Sequence, residues 1–208
     1  MQGSEPTTVS VSLPCDSCEP SHFAVVDDVR AVIRCEGCGR ERPLRRRVLY
    51  LVSGAPATGK TALVGRLAGR IEGLAVLDSD LMGAVAHPDW ASWATAWLLV
   101  AHGLAGSGMS TVLCGYGMHR WEIERLAARR LVGDVKTLNL DVDDDVLRDR
   151  LRRRPNYDDD RIERKVRMAA SLREAADVNV DTTPLGLDQV SEVVERWLLA
   201  SQSGSEGS

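Results

Sequence analysis

The stretch VLYLVSGAPATGKTALV, residues 48–64, decides how the rest of the chain is read. It opens on VLYLVS, an apolar run of strand length, and passes into KTALVGRLAGRI, which has the composition of a helix. Between them Gly54, Ala55, Pro56, Ala57, Thr58, Gly59, Lys60 and Thr61 satisfy G-x4-GK[ST]. The motif works because loop N–H groups and the helix N-terminus surround an anion, and glycines allow the close approach. In that context Lys60 reaches the β- and γ-phosphates of ATP and Thr61 ligates Mg2+.

Outward from this loop, short apolar runs alternate with helical stretches, the pattern of an α/β domain with a parallel sheet covered by helices. Strands are expected near 48–53, 74–78, 110–114, 135–141 and 177–181, and helices near 59–71, 89–106, 120–131, 144–154, 160–175 and 187–200. The chain of 208 residues divides into a flexible start (1–14), a small module (15–39), a basic linker (40–47), the α/β domain (48–200) and a polar, disordered tail (201–208).

The small module carries CDSC (Cys15, Cys18) and CEGC (Cys35, Cys38), two C-x2-C pairs with sixteen residues between them. That spacing suits a zinc ribbon, four thiolates on two tight knuckles with a short hairpin between. Disulfides are the rival, disfavoured in a reducing compartment. About 30 residues bury too little apolar surface alone, so Zn2+ is expected to hold the module together. Cys114 sits in an apolar strand and reads as a core thiol.

The net charge of -4 argues against a general nucleic-acid coat, although the linker RERPLRRR has five Arg against one Glu. The start lacks a basic segment followed by an apolar one, and the longest apolar stretch is interrupted by His102. The expectation is a cytoplasmic protein with no membrane segment. With 23 Arg and three Lys, the composition suggests a GC-rich bacterial genome.

Other residues narrow the chemistry. There is no [NT]KxD base reader of a guanine switch, and the third strand ends in Cys-Gly-Tyr-Gly rather than the carboxylate of a motor ATPase. In VLDSDLM, Asp78 and Asp80 stand two apart at a strand end, so both can face the carboxyl edge of the sheet where ligands bind. Asp80 is the candidate general base and Asp78 the partner on the Mg2+ side, the alternative being that one of them caps the following turn. Arg150 and Arg154 are i,i+4 neighbours before Pro155 and can close over a transferred phosphoryl group, whereas Arg148, Arg152 and Arg153 read as solvated partners of nearby Asp.

GAPATGKT, LDSD, VLCG, DDDVLRDRLRRRP and the terminal VDTTPLGLDQVSEVV together resemble the small P-loop kinases, the nucleoside-monophosphate-kinase-like group with gluconate, shikimate and chloramphenicol-modifying kinases. The resemblance covers about residues 47–200. It implies a P-loop three-layer fold, a five-stranded parallel sheet of order 2-3-1-4-5, use of ATP and Mg2+, an arginine lid, and a small-molecule acceptor. It also implies that Thr182 and Thr183 border the adenine.

Acceptor identity would be written in the segments after the second and third strands. Trp90, Trp93 and Trp97 form a helical stripe, mostly core, with Trp93 the candidate to stack on an acceptor. Tyr116, His119 and Arg120 are candidate hydrogen-bonding residues, and His87 before Pro88 reads as a turn residue. The shortage of cations favours a neutral hydroxylated acceptor such as a nucleoside, a sugar or an antibiotic-like metabolite. Two alternatives stand beside this: a nucleotide or polynucleotide 5′-hydroxyl kinase whose ribbon contacts nucleic acid, and a nucleotide-gated module whose ribbon recruits a protein without phosphorylating anything. No feature specifies an oligomer.

Overall fold

The computed structural model describes residues 9–18, 23–84, 89–115 and 118–203. Four short strands come first, β1 (Val9–Ser12), β2 (Phe23–Asp27), β3 (Val32–Cys35) and β4 (Glu41–Pro43), forming an antiparallel sheet in sequence order. Then follow β5 (Leu49–Gly54), α1 (Lys60–Leu67), β6 (Leu74–Asp78), α2 (Trp90–Gly106), β7 (Ser110–Cys114), α3 (Arg120–Ile123), β8 (Val135–Asp141), α4 (Asp144–Arg152), α5 (Asp159–Ala175), β9 (Val178–Asp181) and α6 (Leu187–Ser203). The second sheet is parallel in the order β6-β7-β5-β8-β9, which is 2-3-1-4-5 within this domain. Among the described residues no helix is long and apolar enough to cross a membrane.

The sequence of β5 explains the layering. Successive side chains of a strand point to opposite faces, and a central parallel strand is covered on both. Leu49 and Leu51 enter one core with Trp97, Leu98, Leu113 and Ile123, while Tyr50 and Val52 enter another with Leu63, Leu67, Val194 and Leu198. Helices α1 and α6 therefore cover one face and α2 the other. A third core of Ala55, Val142, Leu147, Leu151, Ile162 and Val166 seats the pair α4 and α5 against the start of the phosphate loop.

The first of these cores continues into the small sheet. Val11, Leu13, Ala24, Val26, Ile33 and Leu44 belong to the same buried cluster as Leu49 and Leu51. The ribbon is thus sewn to the α/β domain by shared apolar packing. At its margin Asp28 accepts hydrogen bonds from both Arg46 and Arg130, and Arg45 Nη1 donates to the Gly106 carbonyl at 3.1 Å. Burial alone would raise the Asp28 pKa, but hydrogen bonds from Arg130 and Arg46 outweigh it and hold the carboxyl below its ordinary value. Part of the linker's positive charge is therefore used inside the molecule.

Several expectations need correction. Residues 9–12, expected to be flexible, pair with β2 from Val9↔Val26 to Ser12↔Phe23, because Val11 and Leu13 bury against the core. The terminal helix runs through Ser203, past the expected start of the tail at 201, held where Lys136 Nζ donates to the Ser201 carbonyl at 2.9 Å. The helix expected over 120–131 stops at Ile123, and a 3-10 turn follows at Ala127–Leu131. A continuous helix would spread Ile123, Ala128 and Leu131 over roughly 140°, whereas the break brings all three into the core.

Because one core spans both sheets, Ile33→Ala, at a site only 2% exposed, should cost about 2–5 kcal/mol and lower a single unfolding transition of the whole chain. Chemical denaturation followed by tryptophan fluorescence and far-ultraviolet circular dichroism checks this. Two separate transitions, with the α/β one unmoved, would contradict it.

Candidate functional site

The phosphate loop leaves the carboxyl end of β5 and turns into α1 through two left-handed residues, Ala57 (φ 70°) and Gly59 (φ 96°). Such alternation turns successive N–H groups toward one point, the geometry of an anion nest. Gly54 has no room for a side chain, since a Cβ there would lie 2.7 Å from Thr58 Oγ1 and 2.8 Å from the Leu140 carbonyl. Lys60 Nζ donates to the carbonyls of Gly54 and Ala55, both at 2.8 Å. It is a buried ammonium held by neutral oxygens. Burial pushes its pKa down to about 8, with Asp80 and Asp78 pulling the other way.

A cleft of about 520 Å³ opens over this loop, lined by Gly59, Lys60 and Thr61 on one side and by Asp80, Arg154, Tyr157 and Lys165 on the others. Asp78 closes β6, and its Oδ1 accepts the Asp80 N–H at 2.9 Å. That bond places Asp78 as the cap of the 3-10 turn Ser79–Ala84 and leaves Asp80 exposed at the cleft wall. The intervening Ser79 is 2% exposed, and its carbonyl accepts the Trp97 indole N–H at 3.2 Å. Its Oγ packs so tightly on Gly115 that a Cβ there would lie 1.6 Å away. The Cys-Gly end of β7 thus has a steric reason: any side chain at 115 would displace the turn that carries Asp80.

The lid behaves residue by residue. Arg150 Nη1 donates to the Ala57 carbonyl at 3.3 Å, and Arg154 lines the cleft. Arg148 pairs with Glu163 and Asp145, and Arg152 with Asp149, so these two are structural ion pairs. Tyr157 and Lys165 were not singled out from sequence. Arg161 stacks over the Tyr157 ring at 4.8 Å, and Lys165 lies one position before the buried Val166 on α5, a placement that a helical projection of this segment could have revealed.

Other predicted site residues do not join this cleft. Thr182 is 3% exposed and its Oγ1 donates to the Asp141 carbonyl at 2.6 Å, while Thr183 Oγ1 accepts the Asp143 N–H at 2.9 Å. The Thr182 hydroxyl ties the end of β9 to the end of β8, and the Thr183 hydroxyl, which accepts from the β8–α4 connection, keeps its own O–H as a donor. Arg120 makes a bidentate pair with Asp177 at 2.6 and 2.8 Å, so its guanidinium is engaged by a carboxylate. His119 caps α3 and stacks on Trp121 with centroids 6.1 Å apart. Trp93 is partly buried against the first core. Tyr116 and His87 lie outside the described residues. Cys114 is buried in β7 as expected, and burial pushes its thiol up to about 12.

The four ribbon sulfurs lie within 4.8 Å of one another. Cys15 and Cys38 are 3.8 Å apart and Cys35 and Cys18 3.9 Å. Ligands at about 2.3 Å on a tetrahedral ion stand roughly 3.8 Å from each other, so four thiolates in this arrangement fit zinc and not disulfides. Backbone N–H groups of Cys38 and Gly37 help hold the Cys35 thiol at about 7.

No family model and no curated protein matches the chain. Solved structures do. One is the tunicamycin resistance protein of Deinococcus radiodurans, 21% identical with a TM-score of 0.54, covering 74% of this chain and 96% of that one. The fold is that of the small P-loop kinases. An unliganded sugar kinase from Janibacter sp. HTCC2649 gives the same likeness, at 18% identity and a TM-score of 0.53 over 74% of this chain and 94% of that one. About a quarter of this chain, equivalent in length to the ribbon and linker with the tail, lies outside each match.

Two outcomes follow. Lys60 pairs with a phosphate only as the ammonium, so affinity for ATP with Mg2+ should fall above about pH 8, by up to roughly tenfold per unit, with proton uptake on binding. Calorimetry in buffers of different ionisation enthalpy reads both, and unchanged affinity through pH 9.5 would contradict it. Elemental analysis of the purified full chain should give one zinc per molecule, lost in Cys18→Ser. A metal-free folded protein with four titratable ribbon thiols would contradict the zinc assignment.

Proposed function

We propose that the chain is an ATP- and Mg2+-dependent kinase that phosphorylates a hydroxyl of a small molecule. The observation that carries this reading is the cleft itself, where Lys60 and Thr61 face Asp80 with Arg154 beside them. The Thr61 hydroxyl and the Asp78 carboxylate, whose Oδ1 also accepts the Asp80 N–H, would supply oxygen donors of the kind Mg2+ takes, which leaves Asp80 for the acceptor. Magnesium supplies charge neutralisation of the phosphates when bound.

Each residue then has a role. Lys60 exchanges the Gly54 and Ala55 carbonyls for the β- and γ-phosphate oxygens, as loop N–H groups hold the phosphates in place. Asp80 accepts the proton of the acceptor hydroxyl as that oxygen attacks phosphorus. Arg154, with Arg150 at the loop, offsets the charge gathering on the transferred group. Asp80 is favoured over Asp78 as the base because Asp78 already accepts a backbone N–H. The solved neighbours, a sugar kinase and a tunicamycin resistance protein, fit a hydroxylated acceptor, and pairing of Arg120 with Asp177 removes one cation an anionic acceptor would use.

The polynucleotide reading is less well supported by where the ribbon sits. Its contacts fall at Gly106 and Arg130, which precede β7 and β8, so they lie by the amino edge of the sheet. The phosphate loop leaves the carboxyl edge, one strand length of about 17 Å away.

Labelled γ-phosphate transfer from ATP by the full chain to nucleosides, nucleoside monophosphates, sugars, hydroxylated antibiotics and 5′-hydroxyl oligonucleotides tests the proposal. The expected result is transfer to a small hydroxylated acceptor that drops at least about a thousandfold in Asp80→Asn, while the ATP dissociation constant stays within a few-fold. Transfer to oligonucleotides alone would favour the ribbon-guided reading. Full turnover by Asp80→Asn would remove Asp80 as the base.

A further inference from the structure

A second cavity lies at the seam between the ribbon and the α/β domain. Its volume is about 630 Å³, the size of a small-molecule site, and junctions between structural units are where such sites concentrate. Leu13 and Pro43 from the ribbon and Leu99 from α2 give it apolar walls. Arg42 of β4 and Arg45 of the linker line it too, and among the described residues none of those lining it is acidic. The nearby carboxylates of Asp28 and Glu41 are engaged elsewhere, with Arg46 and Arg130 and with Arg30. His102 lines the same space as a half-buried ring, with its Nδ1 shut off from solvent and the backbone of Leu131 and Arg45 beside the imidazole.

The helix sequence adds an independent observation. Gly103 stands inside α2, where glycine is disfavoured relative to alanine, and Gly106 ends the same helix one turn later. Both line the cavity, and a Cβ built at either would meet nothing within 4 Å. Packing therefore does not demand these glycines. They widen the seam where the arginines and His102 converge.

We infer that the seam is a binding site for a small molecule with an apolar body and one anionic group, separate from the phosphate-loop cleft. The body lies against Leu13, Pro43 and Leu99, while Arg42 takes the anion together with Arg45, which donates one N–H to the Gly106 carbonyl and keeps others for a ligand. The site would be built by the ribbon and α2 together, since each supplies part of the wall. The inference does not depend on which reaction the other cleft performs.

The test uses the full chain with ATP and Mg2+ at saturation, so that the phosphate loop is occupied, and the fluorescent anion 1-anilinonaphthalene-8-sulfonate as probe. Saturable binding at one site per chain is expected, weakened at least tenfold by Gly103→Phe, which fills the cavity from open space, and at least tenfold by Arg42→Glu. The uncharged analogue N-phenyl-1-naphthylamine should bind at least tenfold more weakly than the sulfonate. Thermal melts of both variants at or near the wild-type temperature establish that they are folded. Absence of saturable binding, or equal affinity in the wild type and Gly103→Phe, would overturn the site. Equal affinity for the neutral analogue, or no effect of Arg42→Glu, would overturn its assignment to anions.

Discussion

Everything at the candidate active site depends on a buried positive charge that the protein only half satisfies. Lys60 sits at the start of α1 against two backbone carbonyls, in a place where burial disfavours the ammonium. Neutral oxygens are weaker partners for a buried cation than anions are, so the loop is electrically prepared for phosphate. The surrounding packing serves that preparation. Gly54 lets the loop lie against Leu140, α4 and α5 seal the core under Ala55, and the sheet brings Asp80 to the opposite wall.

A similar economy holds the carboxylate in place. Three adjacent residues divide the labour: Asp78 caps the turn, Ser79 is clamped between the Trp97 indole and Gly115, and Asp80 is left to face the cleft. The tryptophan stripe of α2 thereby acquires a polar purpose at one position while the rest packs as core. The same helix carries Gly103 and Gly106 at its far end, so its two ends serve two different cavities.

Much of this was legible from the chain. The phosphate loop, the five strands and the cysteine knuckles rest on local patterns, and local patterns survive folding, whereas the strand order followed only from the resemblance to small P-loop kinases. Asp80 and Arg154 were also readable, because each follows from its distance to a strand or helix end. What escaped was tertiary. Nothing near Arg120 announces Asp177, 57 residues away, as its partner. The docking of the ribbon, β1 against the 3-10 turn Ala127–Leu131, was equally hidden, since Val11, Leu13 and Ile33 look like the interior of an independent module until they are seen to share one buried cluster with Leu131 and Leu49. The bonds of Thr182 Oγ1 to the Asp141 carbonyl and of Thr183 Oγ1 to the Asp143 N–H were hidden in the same way, since their partners lie about 40 residues earlier in the chain.

The most direct measurement is a crystal structure of the full chain with ADP, Mg2+ and aluminium fluoride, which mimics a phosphoryl group in flight. Lys60 Nζ should leave the Gly54 and Ala55 carbonyls for the phosphate and fluoride, Arg154 should close to hydrogen-bond distance of the fluoride, and Asp80 should stand on the side away from ADP. Nucleotide bound outside the phosphate loop, or Asp80 turned away from the apical position, would contradict it.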